Sequence, residues 1–152
     1  MKTLIKNGLV VDPANLVQTH LNLLLEDGKI VAVTEEELEA DRVIDAAGKV
    51  VAPGFIDIHM HEDPVKDDKI QFCIFDAMLR MGVTTAVGGN CGINVYDPVK
   101  YLDLLERDGA PVNVMMFAGH QYYREAAGAL DKYSPVTEEQ RKMMKKGLEE
   151  AL

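Results

Sequence analysis

The feature that most restricts the fold of this chain is an alternation of short strands and helices that begins after Gly48. Apolar or β-branched runs at residues 55–58, 83–87 and 112–117 each read as a buried strand. The segments between them have helical character. Ile70, Ile74, Ala77, Met78 and Met81 recur at helical spacing and predict a helix over residues 67–81, with Gly82 at its end. A second helix is predicted over 98–107, with Asp97 as its N-cap and Asp108-Gly109 as its stop. Residues 118–135 read as irregular, and a last helix starts at Thr137, where Gln140 stands at capping-box spacing. Strands joined through helices run parallel, and such folds bind ligands at the C-terminal ends of their strands.

Residues 1–48 differ in kind. Leu4-Ile5, residues 9–11, 21–25, 30–33 and 42–44 form short strand patterns, with a turn at Asp12-Pro13-Ala14-Asn15. Asp27-Gly28 between two apolar runs is a hairpin signal, because a tight turn requires positive φ. These strands predict a small sheet or half-sandwich with a polar outer face. The expected class is therefore α/β, with an N-terminal β portion over residues 1–48 and an alternating portion over residues 49–152.

Charge narrows the partners. A formal net charge of -9 and no basic cluster disfavour nucleic acid and anionic membranes. Arg141, Lys142, Lys145 and Lys146 share a predicted helix with Glu138, Glu139, Glu149 and Glu150, the pattern of a solvated face. Residues 1–8 lack a signal-peptide apolar run, and no stretch nears the ~18 apolar residues of a spanning helix, so a cytoplasmic location is expected. Two cysteines, Cys73 and Cys91, are too few for a disulfide framework.

The chemistry collects at strand ends. The first run of the alternation stops abruptly in His59-Met60-His61-Glu62-Asp63. Side chains alternate faces along a strand, so His59 and His61 point the same way and can grip one cation. Neutral imidazole is a good zinc ligand, and a catalytic zinc keeps one position open. The bland alternative is two histidines bonded to nearby backbone. Cys91 lies in the Gly-rich loop after the second strand, where it reads as a thiolate ligand, a nucleophile or an inert small residue. Cys73, beside Phe72 and Phe75, reads as core filling. Asp57 could orient a ligand or pair with a backbone amide. Asp63 could orient His61, contact substrate or be solvated. His120, after the third strand, is a candidate for substrate or transition-state contact, or an ordinary loop histidine.

Two stretches of sequence carry a family resemblance. Residues 51–61, Val-Ala-Pro-Gly-Phe-Ile-Asp-Ile-His-Met-His, resemble the first barrel strand of the amidohydrolase superfamily. Gly82-Val83-Thr84-Thr85 followed by Gly89-Asn90-Cys91-Gly92 is similar to the branch that contains D-aminoacylase and N-acyl-D-amino-acid deacylases. This resemblance implies a small N-terminal β-sandwich plus a (β/α)₈ barrel. It implies one or two zinc ions facing His59, His61 and Cys91, and a small-molecule N-acyl amino acid as substrate. Independently of the resemblance, His120 and Asp63 are the residues of this chain expected to bind substrate. Such a barrel needs roughly 250 residues, and the pattern supplies three βα units, so the chain is expected to be part of a longer protein. Alone it is expected to be inactive and prone to homo-oligomerise through unpaired strand edges. The general acid or base would lie beyond Leu152. Two other readings stay open: a cyclic-amide hydrolase similar to dihydroorotase or hydantoinase, and a noncatalytic metal-binding or assembly module.

Overall fold

A computed structural model describes residues Met1–Leu152, which divide into two compact units, Met1–Pro53 and Gly54–Leu152. The first holds one mixed sheet of five strands: β1 (Lys2–Asp12), β2 (Val17–Glu26), β3 (Lys29–Thr34), β4 (Arg42–Asp45) and β5 (Val50–Val51). The order is β3-β2-β1-β4, with β5 also pairing β1. Both hairpins are antiparallel, while β4 and β5 run parallel to β1. Asp27 and Gly28 have φ of 50° and 77°, as the tight turn between β2 and β3 demands. Leu4, Val10, Leu23, Leu24 and Ala46 are buried in this unit.

Three expectations change here. Leu4-Ile5 and residues 9–11 belong to one strand, which is continuous through an irregularity between Ile5 and Gly8 where Asn7 takes φ 65°. Residues 50–51 pair with Leu9 and Val10, so the first unit runs past Gly48 to Pro53. The unit contains a single small sheet, one of the two forms expected, but its edge strands expose Ile30, Val31, Val33, Val43 and Ile44 rather than a polar face. A lone sheet can bury apolar side chains only where something covers them, and more apolar residues stand on these strands than one layer covers.

The second unit has the α/β alternation. Strands β6 (Phe55–Asp57), β9 (Val83–Gly88) and β10 (Asn113–Met116) form a parallel sheet in the order β10-β9-β6. Helix α1 (Ile74–Arg80) packs on β9, and α2 (Pro98–Asp108) packs on β10. Met60, Ile70, Phe75, Met78, Val83, Ala86, Tyr101, Leu105 and Val112 make the core. The Asp97 carboxylate caps α2 by accepting from the Val99 and Lys100 amides. Thr137 and Gln140 close the predicted capping box at the start of α4 (Glu138–Glu150).

Two elements of this unit depart from the sequence pattern. The predicted helix over 67–81 begins only at Ile74, because residues 65–70 form a small hairpin, β7 (Val65–Lys66) with β8 (Lys69–Ile70). Asp67 and Asp68 make its turn with φ of 52° and 58°, and Arg107 pairs with Asp68. Ile70 is still buried, but it reaches the core from a strand. The segment expected to be irregular contains α3 (His120–Ala126), which packs against α4.

Candidate metal centre

Three chain segments converge at the C-terminal ends of β6, β9 and β10. After β6 the chain bends at Ile58 and leaves the regular strand. Met60 N–H points to Val87 O at 3.2 Å and to Asn90 Oδ1 at 3.1 Å, while Asn90 Nδ2 donates to Ile58 O at 2.7 Å. The Asn90 side chain thus mimics a peptide group and pins the segment on both sides of His59. Met60 is buried while His59 and His61 on either side of it are exposed, so burial alternates along the segment as the expected sharing of a face requires. Asp57 Oδ1 accepts from the His59 amide at 2.9 Å, so of its two expected roles the structure shows the backbone pairing.

The loop after β9 delivers Cys91 to the same place. Gly89 and Gly92 take φ of 75° and 74°, and Cys91 itself sits at φ 60°, ψ 13°. A left-handed conformation is uncommon for a residue with a Cβ and clusters at functional sites. The result is compact. Cys91 Sγ lies 3.5 Å from His59 Nε2, the two imidazole centroids are 5.7 Å apart, and the ligand atoms of His59, His61 and Cys91 all lie within 4.8 Å of one another.

The Cys91–His59 separation fits a metal of zinc's size. With Zn–N near 2.0–2.1 Å and Zn–S near 2.3 Å, the N···S edge of a tetrahedral site is about 3.5 Å. Two imidazoles and a thiolate form a donor set suited to zinc, and a fourth position would remain for solvent or substrate.

The other candidates fall elsewhere. Asp63 is fully buried, and its carboxylate is consumed by the start of α1: Oδ1 accepts from the Cys73 and Ile74 amides at 3.2 and 2.7 Å, and Oδ2 from the Phe75 amide at 3.0 Å. Its expected substrate contact does not fit this placement, since no lone carboxylate oxygen faces solvent. The Cys73 thiol donates to the same Oδ1 at 2.8 Å. Cys73 is exposed rather than part of the core, and the hydrogen bond to Asp63 pushes its thiol pKa up. His120 opens α3, is exposed, and stands beside the Cys91 loop: a Cβ placed on Gly92 would lie 3.8 Å from His120 Cβ.

Sequence reasoning missed Asn90, whose neighbour Cys91 drew attention instead. The available signal was chemical, since an amide side chain in a loop beside a strand end is the residue able to donate and accept like backbone. Asn94 and Glu62 were missed as well. Both are buried, and Asn94 Nδ2 donates to Glu62 Oε1 at 3.0 Å.

Comparison with known proteins gives concordant results. D-aminoacylase from Alcaligenes xylosoxydans xylosoxydans is 30% identical over 173 aligned residues, which take in 98% of this chain and 35% of that enzyme. Dihydroorotase from Elusimicrobium minutum is 43% identical over 88 residues, 56% of this chain and 20% of that one. The crystal structure of N-acyl-D-glutamate deacylase from Bordetella bronchiseptica, complexed with zinc and a phosphonate mimic of the reaction's tetrahedral intermediate, superposes with a TM-score of 0.82 at 28% identity. It covers 99% of this chain, which in turn spans 36% of that one. The chain therefore spans about a third of the length of the deacylases it matches. A family model described as the amidohydrolase family matches residues 42–140. That match takes in more than half of the sequence, including every segment that delivers a donor to the cluster, and the chain accordingly belongs to the amidohydrolase family.

Proposed function

We propose that this chain supplies the metal-binding part of a zinc-dependent deacylase that hydrolyses the amide bond of N-acyl-D-amino acids. The observation that carries the reading is the 3.5 Å separation of Cys91 Sγ and His59 Nε2 within a three-donor cluster, the edge length a tetrahedral zinc requires. In this reading the parallel sheet β6-β9-β10 and its helices are the first three units of a (β/α)₈ barrel, and the first unit is a portion of a β-sandwich. Bound there, zinc supplies Lewis acidity to the scissile carbonyl and to the attacking water. The chain's own residues do the positioning. Asn90 holds the His59 segment against β9, the left-handed turn at Cys91 aims the thiolate at His59, and His120, whose Cβ lies beside the Cys91 loop, is the residue we propose to contact the substrate.

The deacylase reading is supported by alignment over nearly the whole chain and by a thiolate within the donor set. A second reading, hydrolysis of a cyclic amide, draws on the higher identity to dihydroorotase, although that alignment covers little more than half of the chain. A noncatalytic metal-binding or assembly module is the third. Because the chain spans about a third of the deacylases it matches, we expect it to bind zinc but not to turn over alone. Exposed Phe55, Ile56, Ile58, Met115 and Phe117 on β6, β10 and the residues that follow them support self-association in isolation.

The test has two arms. Zinc content of the purified chain after equilibration and desalting is expected to reach at least one ion per chain; a metal-free protein defeats both hydrolase readings. Grafting residues 54–152 in place of the aligned part of the Alcaligenes D-aminoacylase is expected to leave hydrolysis of N-acetyl-D-amino acids. Hydrolysis of dihydroorotate instead would favour the second reading, and zinc binding with neither activity would favour the third.

A further inference from the structure

Behind the donor cluster, on the buried side of the segment that carries His59 and His61, lies a buried polar chain that links the loops following all three strands. Met60 and Glu62 point away from His59 and His61, and Glu62 is only 7% exposed. Glu62 Oε1 accepts from Asn94 Nδ2 at 3.0 Å, and Asn94 Oδ1 accepts from the Gly119 amide at 2.6 Å. The remaining carboxylate oxygen, Glu62 Oε2, is buried with no hydrogen-bond partner. Each member adjoins a residue of the site. Glu62 follows His61, Asn94 lies three residues after Cys91, and Gly119 precedes His120.

The packing around Asn94 leaves it little freedom. A Cβ on Gly119 would stand 2.6 Å from Asn94 Oδ1, and one on Gly89 would stand 2.9 Å from Asn94 Nδ2 and 2.2 Å from Phe117 O. Glycine at both positions lets two backbones close on the amide. A primary amide is the group that can donate to a carboxylate at one end and accept from a backbone N–H at the other. Burying a carboxylate with one oxygen unpartnered is a poor way to gain stability, because an apolar pair of similar shape would cost less. The arrangement therefore calls for a geometric reason, and three loops that must present donors to one point provide it.

Resting on the metal-site reading, we propose that Asn94 is a positioning residue: through Glu62 and Gly119 it braces the segments bearing His61, Cys91 and His120, and thereby sets the shape of the metal and substrate site. The brace touches no metal donor directly. Its effect passes through backbone, as a partner outside the ligand shell acts on the ligands.

Cobalt(II) titration of the full chain tests this, with affinity and the thiolate-to-cobalt charge-transfer band as readouts. Asn94→Asp keeps the acceptor for Gly119 but sets carboxylate against carboxylate at Glu62, and is expected to weaken cobalt binding on the order of tenfold or more and to diminish the band. Adding Glu62→Gln restores a hydrogen bond of reversed polarity, and the double variant is expected to recover most of both. An Asn94→Asp chain that stays folded and binds cobalt as before, or a loss that Glu62→Gln does not repair, overturns the brace. If Asn94→Asp fails to fold, Glu62→Met carries the test: it frees the Asn94 amide, and the same loss of affinity is expected, with unchanged binding counting against the proposal. Hydrogen exchange at the Gly119 amide separates this from the metal assignment. If the unsubstituted chain takes no cobalt, the metal reading falls, while Gly119 protection that is lost in Asn94→Asp and regained in the double variant still supports the brace; protection indifferent to both overturns it.

Discussion

The two units of this protein build sheets by different means, and the difference decides where chemistry can sit. In Met1–Pro53 the main strands are joined by tight hairpins, so each strand finds its partner from nearby sequence. In Gly54–Leu152 all three sheet strands are parallel, each crossover passes through a helix, and all three C-terminal ends open on one side. A hairpin sheet disperses its strand ends over both edges. Parallel strands gather theirs, which is why His59, His61 and Cys91 come together from two separate strand ends, with the start of α3 at His120 beside the Cys91 loop.

The sharpest way to break this contrast is to remove a donor from the second unit. Cys91→Ala is expected to lower zinc affinity by more than the roughly 10- to 100-fold that loss of an outer-shell partner costs, with thermal unfolding of the metal-free chain little changed. Equal zinc content in the variant and the parent would remove Cys91 from the ligand set. Leu4→Ala addresses the other side. Leu4 is 1% exposed in the first sheet, and truncating it is expected to cost about 3 kcal/mol in denaturant unfolding while zinc affinity of the folded protein stays put.

Asp63→Ala tests whether the second unit depends on a carboxylate far from the helix it caps. Three backbone amides lose their acceptor, and a loss of about 2 kcal/mol is expected. Iodoacetamide should then alkylate Cys73 several-fold faster, since the bond that holds this thiol protonated is gone. The sign for pH follows from the same bond. A thiol pKa raised in the folded state favours folding at neutral pH, and that contribution disappears as pH rises through the folded value. Thr137→Ala, which opens the capping box of α4, is the mildest change, expected near 1 kcal/mol by the same denaturant measurement.

What could be read from the sequence was whatever depends on neighbours in the chain. The Asp27-Gly28 turn, the Asp97 cap and the Thr137–Gln140 box each rest on groups within three residues, and each stands where the sequence put it. The helix over 67–81 failed for the opposite reason. Its spacing is compatible with both a helix and a hairpin followed by a shorter helix, and Asp63, ten residues upstream of Cys73, decides where the helix starts. Helix α3 lacked a local cap signal and exists beside α4.

The site divides along the same line. Sequence alone determined the donor types and their alternation, because extended backbone obliges His59 and His61 to share a face and glycines on both sides of Cys91 permit a sharp loop. Only tertiary structure decided that the sulfur meets His59 at 3.5 Å, that Asn90 and Asn94 hold the loops in place, and that Asp63 faces inward to a helix. Distance between residues remote in sequence is fixed by packing and shared hydrogen bonds, and neither is written in the spacing of any one segment.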